Sequence, residues 1–185
     1  MLIVVGLAGA GKSTVLKKFV EERSDVKIVN YGDIALNVAL KNKYVEDRDK
    51  INSLSSKVHK KIQEDVVKQI GDTPKTILDT HAILKHDPGY IAGITPALLK
   101  KVNVEGFVFI DASSEEVLSR RQNDKTRARA MLTKEQIDND RLLCKALICG
   151  YVSQIGAPFY FIHNEEGKLD RSVNEMKKIA KDLEW

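Results

Sequence analysis

With 185 residues, 43% of them apolar and 30% charged, the chain is long enough to bury one substantial core and too short for two domains joined by a linker. It contains no low-complexity tract, no repeat and no apolar run of membrane-spanning length, which marks an ordinary globular protein. Its net charge of +4 is modest, and Met1 leads straight into an apolar run with no leader pattern, so a cytoplasmic protein is expected.

The first predicted element is a buried strand over residues 2–5. Directly after it, Gly6-Leu7-Ala8-Gly9-Ala10-Gly11-Lys12-Ser13 matches the phosphate-loop pattern G-x-x-x-x-G-K-[ST]. The glycines let backbone amides curl around a phosphate without a Cβ in the way. Lys12 is then placed to reach β- and γ-oxygens, and the Ser13 hydroxyl to ligate Mg²⁺. Val15, Leu16, Phe19 and Val20 follow on one face of an amphipathic helix, which would set the anion at a helix N-terminus. A glycine-rich turn without a ligand is the alternative, and the strand and helix on either side argue against it.

A second β-prone run, residues 27–31, ends in Asn30-Tyr31-Gly32-Asp33, read as a turn. Residues 33–71 are too long and polar for a simple crossover. They hold a helix over about 34–41 and a second whose Val58, Ile62, Val66 and Ile70 recur at i+4. Between them Arg48 is either a clamp for an acceptor phosphate or part of an exposed charged turn. The third run, 76–78, ends in Asp79-Thr80-His81. Asp79 suits a second, water-mediated Mg²⁺ contact, with a helix cap or solvated strand end as the alternative. His81 is either a polar lining residue or a hydrogen-bonded structural histidine.

The fourth run is 107–110. Beyond it, residues 120–140 form a second excursion, and in its first ten residues, 120–129, Arg120, Arg121, Lys125, Arg127 and Arg129 face Asp124 alone, a surplus equal to that of the whole chain. Arginine's planar fork suits several phosphate oxygens at once, so this cluster is a candidate clamp for a transferring phosphoryl group. A solvated basic face or a nucleic-acid patch are the alternatives, and the window lacks aromatics for base stacking. A helix around 140–148 carries Leu142, Leu143, Ala146, Leu147 and Ile148, more apolar residues than one buried stripe needs, although core burial also accounts for them. Cys144 and Cys149 on it are expected to be reduced, buried thiols. The fifth run is 159–162.

Five nearly continuous apolar runs alternating with helices predict an α/β fold, a doubly wound parallel sheet of five strands with ligands beyond the C-terminal strand edges. The motifs follow the strands, as that architecture requires.

The phosphate loop, the Asn-Tyr-Gly-Asp turn, Val45-Glu46-Asp47-Arg48-Asp49, Asp79-Thr80-His81, Pro88-Gly89-Tyr90 and Arg120-Arg121-x-Asn-Asp-x-Thr-Arg-x-Arg occur here in the order in which archaeal-type adenylate kinases carry them. The chain resembles that family over essentially its whole length. The resemblance implies a single P-loop kinase domain with an AMP-binding excursion at about 33–71 and a lid at about 120–140. It implies the reaction ATP + AMP ⇌ 2 ADP with Mg²⁺, and a homotrimer. Lys12, Arg120, Arg121, Arg127 and Arg129 then take the catalytic positions. Gly6 to Ser13 with Thr14, and the Gly156-Ala157 turn, fall on the ATP side. Asn30, Tyr31, Gly32, Asp33, Arg48, Asp79, Thr80 and His81 fall on the AMP side, and Ser13 and Asp79 (through water) on the metal. The chain departs from the pattern at Asn52, where an arginine is usual, and at Ala130, where an acid is common.

Two rivals remain at this level: another small-molecule P-loop kinase, and a nucleotide-dependent RNA or ribosome assembly factor. A GTPase is disfavoured, because Asp-x-x-Gly is missing after the third strand and Asn123-Asp124-Lys125 does not match Asn-Lys-x-Asp.

Overall fold

The computed structural model describes residues 1–47, 50–124 and 132–185. Among these, five parallel strands form one sheet in the order β2-β3-β1-β6-β7: β1 (Leu2–Val5), β2 (Lys27–Asn30), β3 (Thr76–Asp79), β6 (Gly106–Asp111) and β7 (Phe159–His163). The intervening β4 (Ile83–His86) and β5 (Gly89–Ala92) make a separate antiparallel hairpin.

The apolar runs are continuous because both sheet faces are covered. On one face Ile3, Val5, Leu78, Phe107 and Phe109 pack under α2 (Tyr31–Lys41), α3 (Ser56–Gln69), α4 (Pro96–Lys101) and α6 (Lys134–Ile155). On the other, Leu2, Val4, Ile77, Val108 and Ile110 meet α1 (Lys12–Glu21) and α7 (Leu169–Asp182) through Val15, Leu16, Phe19, Val173 and Met176. The three central strands are wholly buried. The outer two are not: Ile28 on β2 and Phe161 on β7 are exposed, since an edge strand lacks a neighbour to complete its cover.

Register aligns the strand ends that matter. Val4 and Asn30 both stand opposite Asp79, and Asp111 stands opposite His163. The connections leave β1 to opposite sides, toward β3 and β2 after α1 and toward β6 and β7 later in the chain, so β1 ends at the crevice where such sheets bind ligands.

Two expectations are corrected here, and one element is new. Asn30-Tyr31-Gly32-Asp33 is the start of α2 rather than a turn: Asn30 is extended (φ −91°) and its side chain accepts from Asp33 N–H at 3.0 Å, capping the helix. Asn, Gly and Asp favour turns, but Asn at a cap and Asp in a first turn are equally at home. The β4–β5 hairpin went unread because its strands are four residues long and flank Pro88, which argues against a strand. Cys149 is exposed, whereas Cys144 is buried and its thiol is pushed up to about 12 by burial.

Phe107 sits mid-sheet, fully buried and stacked on Tyr151 at 6.3 Å between ring centroids. Phe107→Ala should cost about 3–5 kcal/mol in denaturant unfolding, whereas Ile28→Thr at the exposed edge should cost under about 1 kcal/mol.

Candidate active site

The loop between β1 and α1 is shaped by close approach. A Cβ on Gly6 would stand 2.5 Å from the Ile110 carbonyl oxygen. Gly11, the residue preceding α1, has φ +83°, and a Cβ there would lie 2.2 Å from Asn164 Nδ2. Neither position tolerates a side chain, for steric reasons at the first and for both steric and backbone reasons at the second.

Three carbonyls of the loop are held from outside. His81 Nδ1 donates to Gly6 O at 2.9 Å, and Arg121 Nε donates to Ala8 O at 2.8 Å. Ala10 O receives Asn164 Nδ2 at 2.8 Å and Arg120 Nη1 at 3.3 Å. Arg120 also donates to Asn164 O and pairs with Glu166, so the segment after β7 is tied to the loop by the same guanidinium. The clamps use carbonyl oxygens and leave amide groups out of the bargain. The resulting cradle has two guanidinium groups behind it and a helix N-terminus within it, a field that favours a polyanion.

At the head of α1, Lys12 forms an ion pair with Asp79; both are under 10% exposed. The other Asp79 oxygen accepts from Asn30 Nδ2 at 3.1 Å. One carboxylate therefore joins the phosphate-loop lysine to the cap of α2, and the ends of β1, β3 and β2 become a single polar unit. Two charges withdrawn from water need each other, and an anion entering the loop must compete for Lys12.

Of the residues singled out from sequence, Gly6 to Ser13, Asn30, Asp79, His81, Arg120 and Arg121 come together at this edge, with Thr14 in the first turn of α1 and Gly32 and Asp33 in the first turn of α2. Thr80 is buried, and its N–H continues the sheet by donating to Val4 O at 3.0 Å. Tyr31 turns its ring into the core. Arg48, Arg127 and Arg129 lie outside the described residues. Gly156 ends α6 in a left-handed turn (φ +76°), and both Gly156 and Ala157 precede β7. In a parallel sheet that places them at the edge opposite the phosphate loop, about 16 Å away along a five-residue strand.

Two residues at the site were not chosen from sequence. Asn164 is the polar residue just past the last strand, a place the architecture itself marks. Arg141 was masked by the apolar helix around it; it grips Asp111 at the end of β6 with two bonds of 2.8 Å and also reaches Asp138 at 2.9 Å. Burial raises the Asp111 carboxyl, but the bonds from Arg141 and Lys145 outweigh it and hold the group below the ordinary carboxylate range.

A family model described as an AAA domain matches residues 5–138. Adenylate kinases of Thermoplasma acidophilum, Methanothermobacter thermautotrophicus and Pyrococcus horikoshii are 36%, 32% and 35% identical to the chain. The alignments cover 96%, 97% and 97% of it and 96%, 98% and 94% of those proteins. The chain belongs to the adenylate kinase family. It is thus a phosphotransferase with a nucleotide-binding P-loop. Among solved structures, shikimate kinases of Bacteroides thetaiotaomicron (TM-score 0.62, 10% identity, 97% of each chain) and Acinetobacter baumannii (TM-score 0.65, 15% identity, 98% of this chain and 92% of that one) share the fold.

For this adenylate kinase, Asn164→Ala should weaken ATP binding about tenfold in calorimetric titration, because a loop carbonyl loses its shorter bond. Gly156→Ala should lower the unfolding free energy by about 1 kcal/mol, through the left-handed turn, and leave ATP affinity unchanged.

Proposed function

We propose that the chain catalyses ATP + AMP ⇌ 2 ADP, with ATP phosphates in the loop of Gly6 to Thr14 and AMP on the side of Asn30 to Asp33. The observation that carries this reading is the Lys12–Asp79–Asn30 connection, which sets a donor lysine and an acceptor-side helix cap on one carboxylate. Phosphoryl transfer needs alignment and charge neutralisation more than acid–base chemistry, and this edge offers both. Lys12 moves from Asp79 to the β- and γ-oxygens, while Arg120 and Arg121 keep the loop in shape and add positive charge.

The described residues contain no group of three or more His, Cys, Asp or Glu that could hold a metal by itself. The Ser13 hydroxyl and the Asp79 carboxylate, freed of Lys12 and acting through water, are hard oxygen donors that fit Mg²⁺ arriving with the nucleotide. That ion would neutralise charge on the phosphates. Residues 33–71 serve as the acceptor excursion, with Arg48 at the AMP phosphate and Thr80 and His81 in support. Residues 120–140 serve as the lid, with Arg127 and Arg129 closing over the transferring group and excluding water.

No helix among the described residues is long and apolar enough to cross a membrane, and the enzyme is proposed to be cytoplasmic. The homotrimer reading is supported by apolar surface that the fold leaves uncovered. Leu142 and Leu143 on α6 are 66% and 42% exposed, and Phe161 on the sheet face beneath that helix is 56% exposed.

Purified protein given ATP and AMP should form ADP, with CMP, UMP and GMP as weaker acceptors, and Lys12→Met should lower kcat at least about a hundredfold. No AMP-dependent ADP, together with tight RNA binding, would overturn the reading. Light scattering over a concentration series should give three times the chain mass, and Leu142→Glu should shift it to one.

A further inference from the structure

The β4–β5 hairpin touches three separate parts of the enzyme. At its root Gly93 N–H donates to Ala82 O at 2.9 Å, one residue past His81, whose ring holds the first carbonyl of the phosphate loop. One side is tied to α3. Gln63 Nε2 donates to Ala92 O at 2.7 Å, Ser56 Oγ and His86 Nε2 lie 2.9 Å apart, and the His59 and His86 rings meet edge to face at 5.6 Å between centroids. The other side is tied to α6 through one carboxylate: Tyr90 Oη donates to Asp140 Oδ1 at 2.7 Å, and Lys85 Nζ pairs with Asp140 Oδ2 at 3.1 Å.

Asp140 is buried, and each of its oxygens is satisfied by one of these partners. Its neighbour Arg141 projects from α6 onto Asp111, at the C-terminal edge of the sheet. A shift of the first two turns of α6 therefore moves Arg141 and the hairpin together. The ribbon itself is paired along its length, from Ile83 opposite Ala92 to His86 opposite Gly89, and so passes a displacement on as a unit.

We infer that the hairpin couples the acceptor side to the lid side, with Asp140 as the positioning residue that transmits AMP binding from α3 to the head of α6. This rests on the proposed reading of 33–71 as acceptor excursion and 120–140 as lid. Coupling carried this way requires both joints, α3 to hairpin and hairpin to α6.

The test is the KM for ATP at trace and at saturating AMP, measured beside thermal unfolding for the wild type, Asp140→Asn, Tyr90→Phe and Gln63→Ala. The wild type should show an AMP-dependent KM for ATP. Asp140→Asn and Gln63→Ala, at opposite joints, should each bring the ratio of the two KM values about threefold or more toward one, with kcat at saturation of both substrates changing less. If Asp140→Asn fails to fold, Tyr90→Phe and Gln63→Ala carry the comparison. Variants that melt earlier yet keep the wild-type ratio would overturn the coupling role, as would a wild-type ratio of one. A wild type that forms no ADP from ATP and AMP overturns the adenylate kinase reading first, and the coupling with it.

Discussion

The ion pair between Lys12 and Asp79 is the constraint on which the site depends. Both groups are withdrawn from water at the end of the central strands, where neither charge is tolerable alone. Because Asn30 binds the second oxygen of Asp79 and also caps α2, the same carboxylate that restrains the phosphate-loop lysine orients the helix on the far side of β3. In the proposed reaction a polyphosphate draws Lys12 away and leaves the Asp79 carboxylate for the cation that comes with it, so that the edge responds by exchange of partners.

The phosphate loop is kept in shape by a second set of contacts that reach it from across the sheet. His81 follows β3, Arg120 and Arg121 end α5 (Ser114–Asn123), and Asn164 follows β7, yet all four terminate on carbonyls of one short loop. That convergence gives a rigid cradle whose electrostatics are arranged before a ligand arrives, which is the condition under which charge stabilisation is most effective. It also refines the arginine cluster. Arg120 and Arg121 form part of the cradle wall, each through a guanidinium bond to backbone.

How much was legible depended on how local each feature is. The phosphate loop was readable because its geometry follows from eight consecutive residues and the elements flanking them. Asn30 to Asp33 was ambiguous, since the residues that make turns also cap helices and only the partner of Asn30 distinguishes the two. The hairpin was not legible: Ile83 to Ala92 shows no strong alternation and gains its identity from α3 and α6, which hold it from either side. Gly156-Ala157 was legible as a turn between a helix and the last strand, and strand direction sets it at the sheet edge opposite the phosphate loop.

The sequence by itself determined a doubly wound parallel sheet and a phosphate loop at the end of β1, because hydrophobic period and a phosphate-loop motif are written in neighbouring residues, and the order of its motifs carried the resemblance to a kinase family. The tertiary structure decided which side chains share that nucleotide site. Asp79 meets Lys12, Asn164 meets Ala10 and Asp140 meets the hairpin across separations of dozens of residues. Such pairings follow from strand order and register, and burial makes them obligatory, since a polar group taken out of water must find its partner wherever the fold brings one.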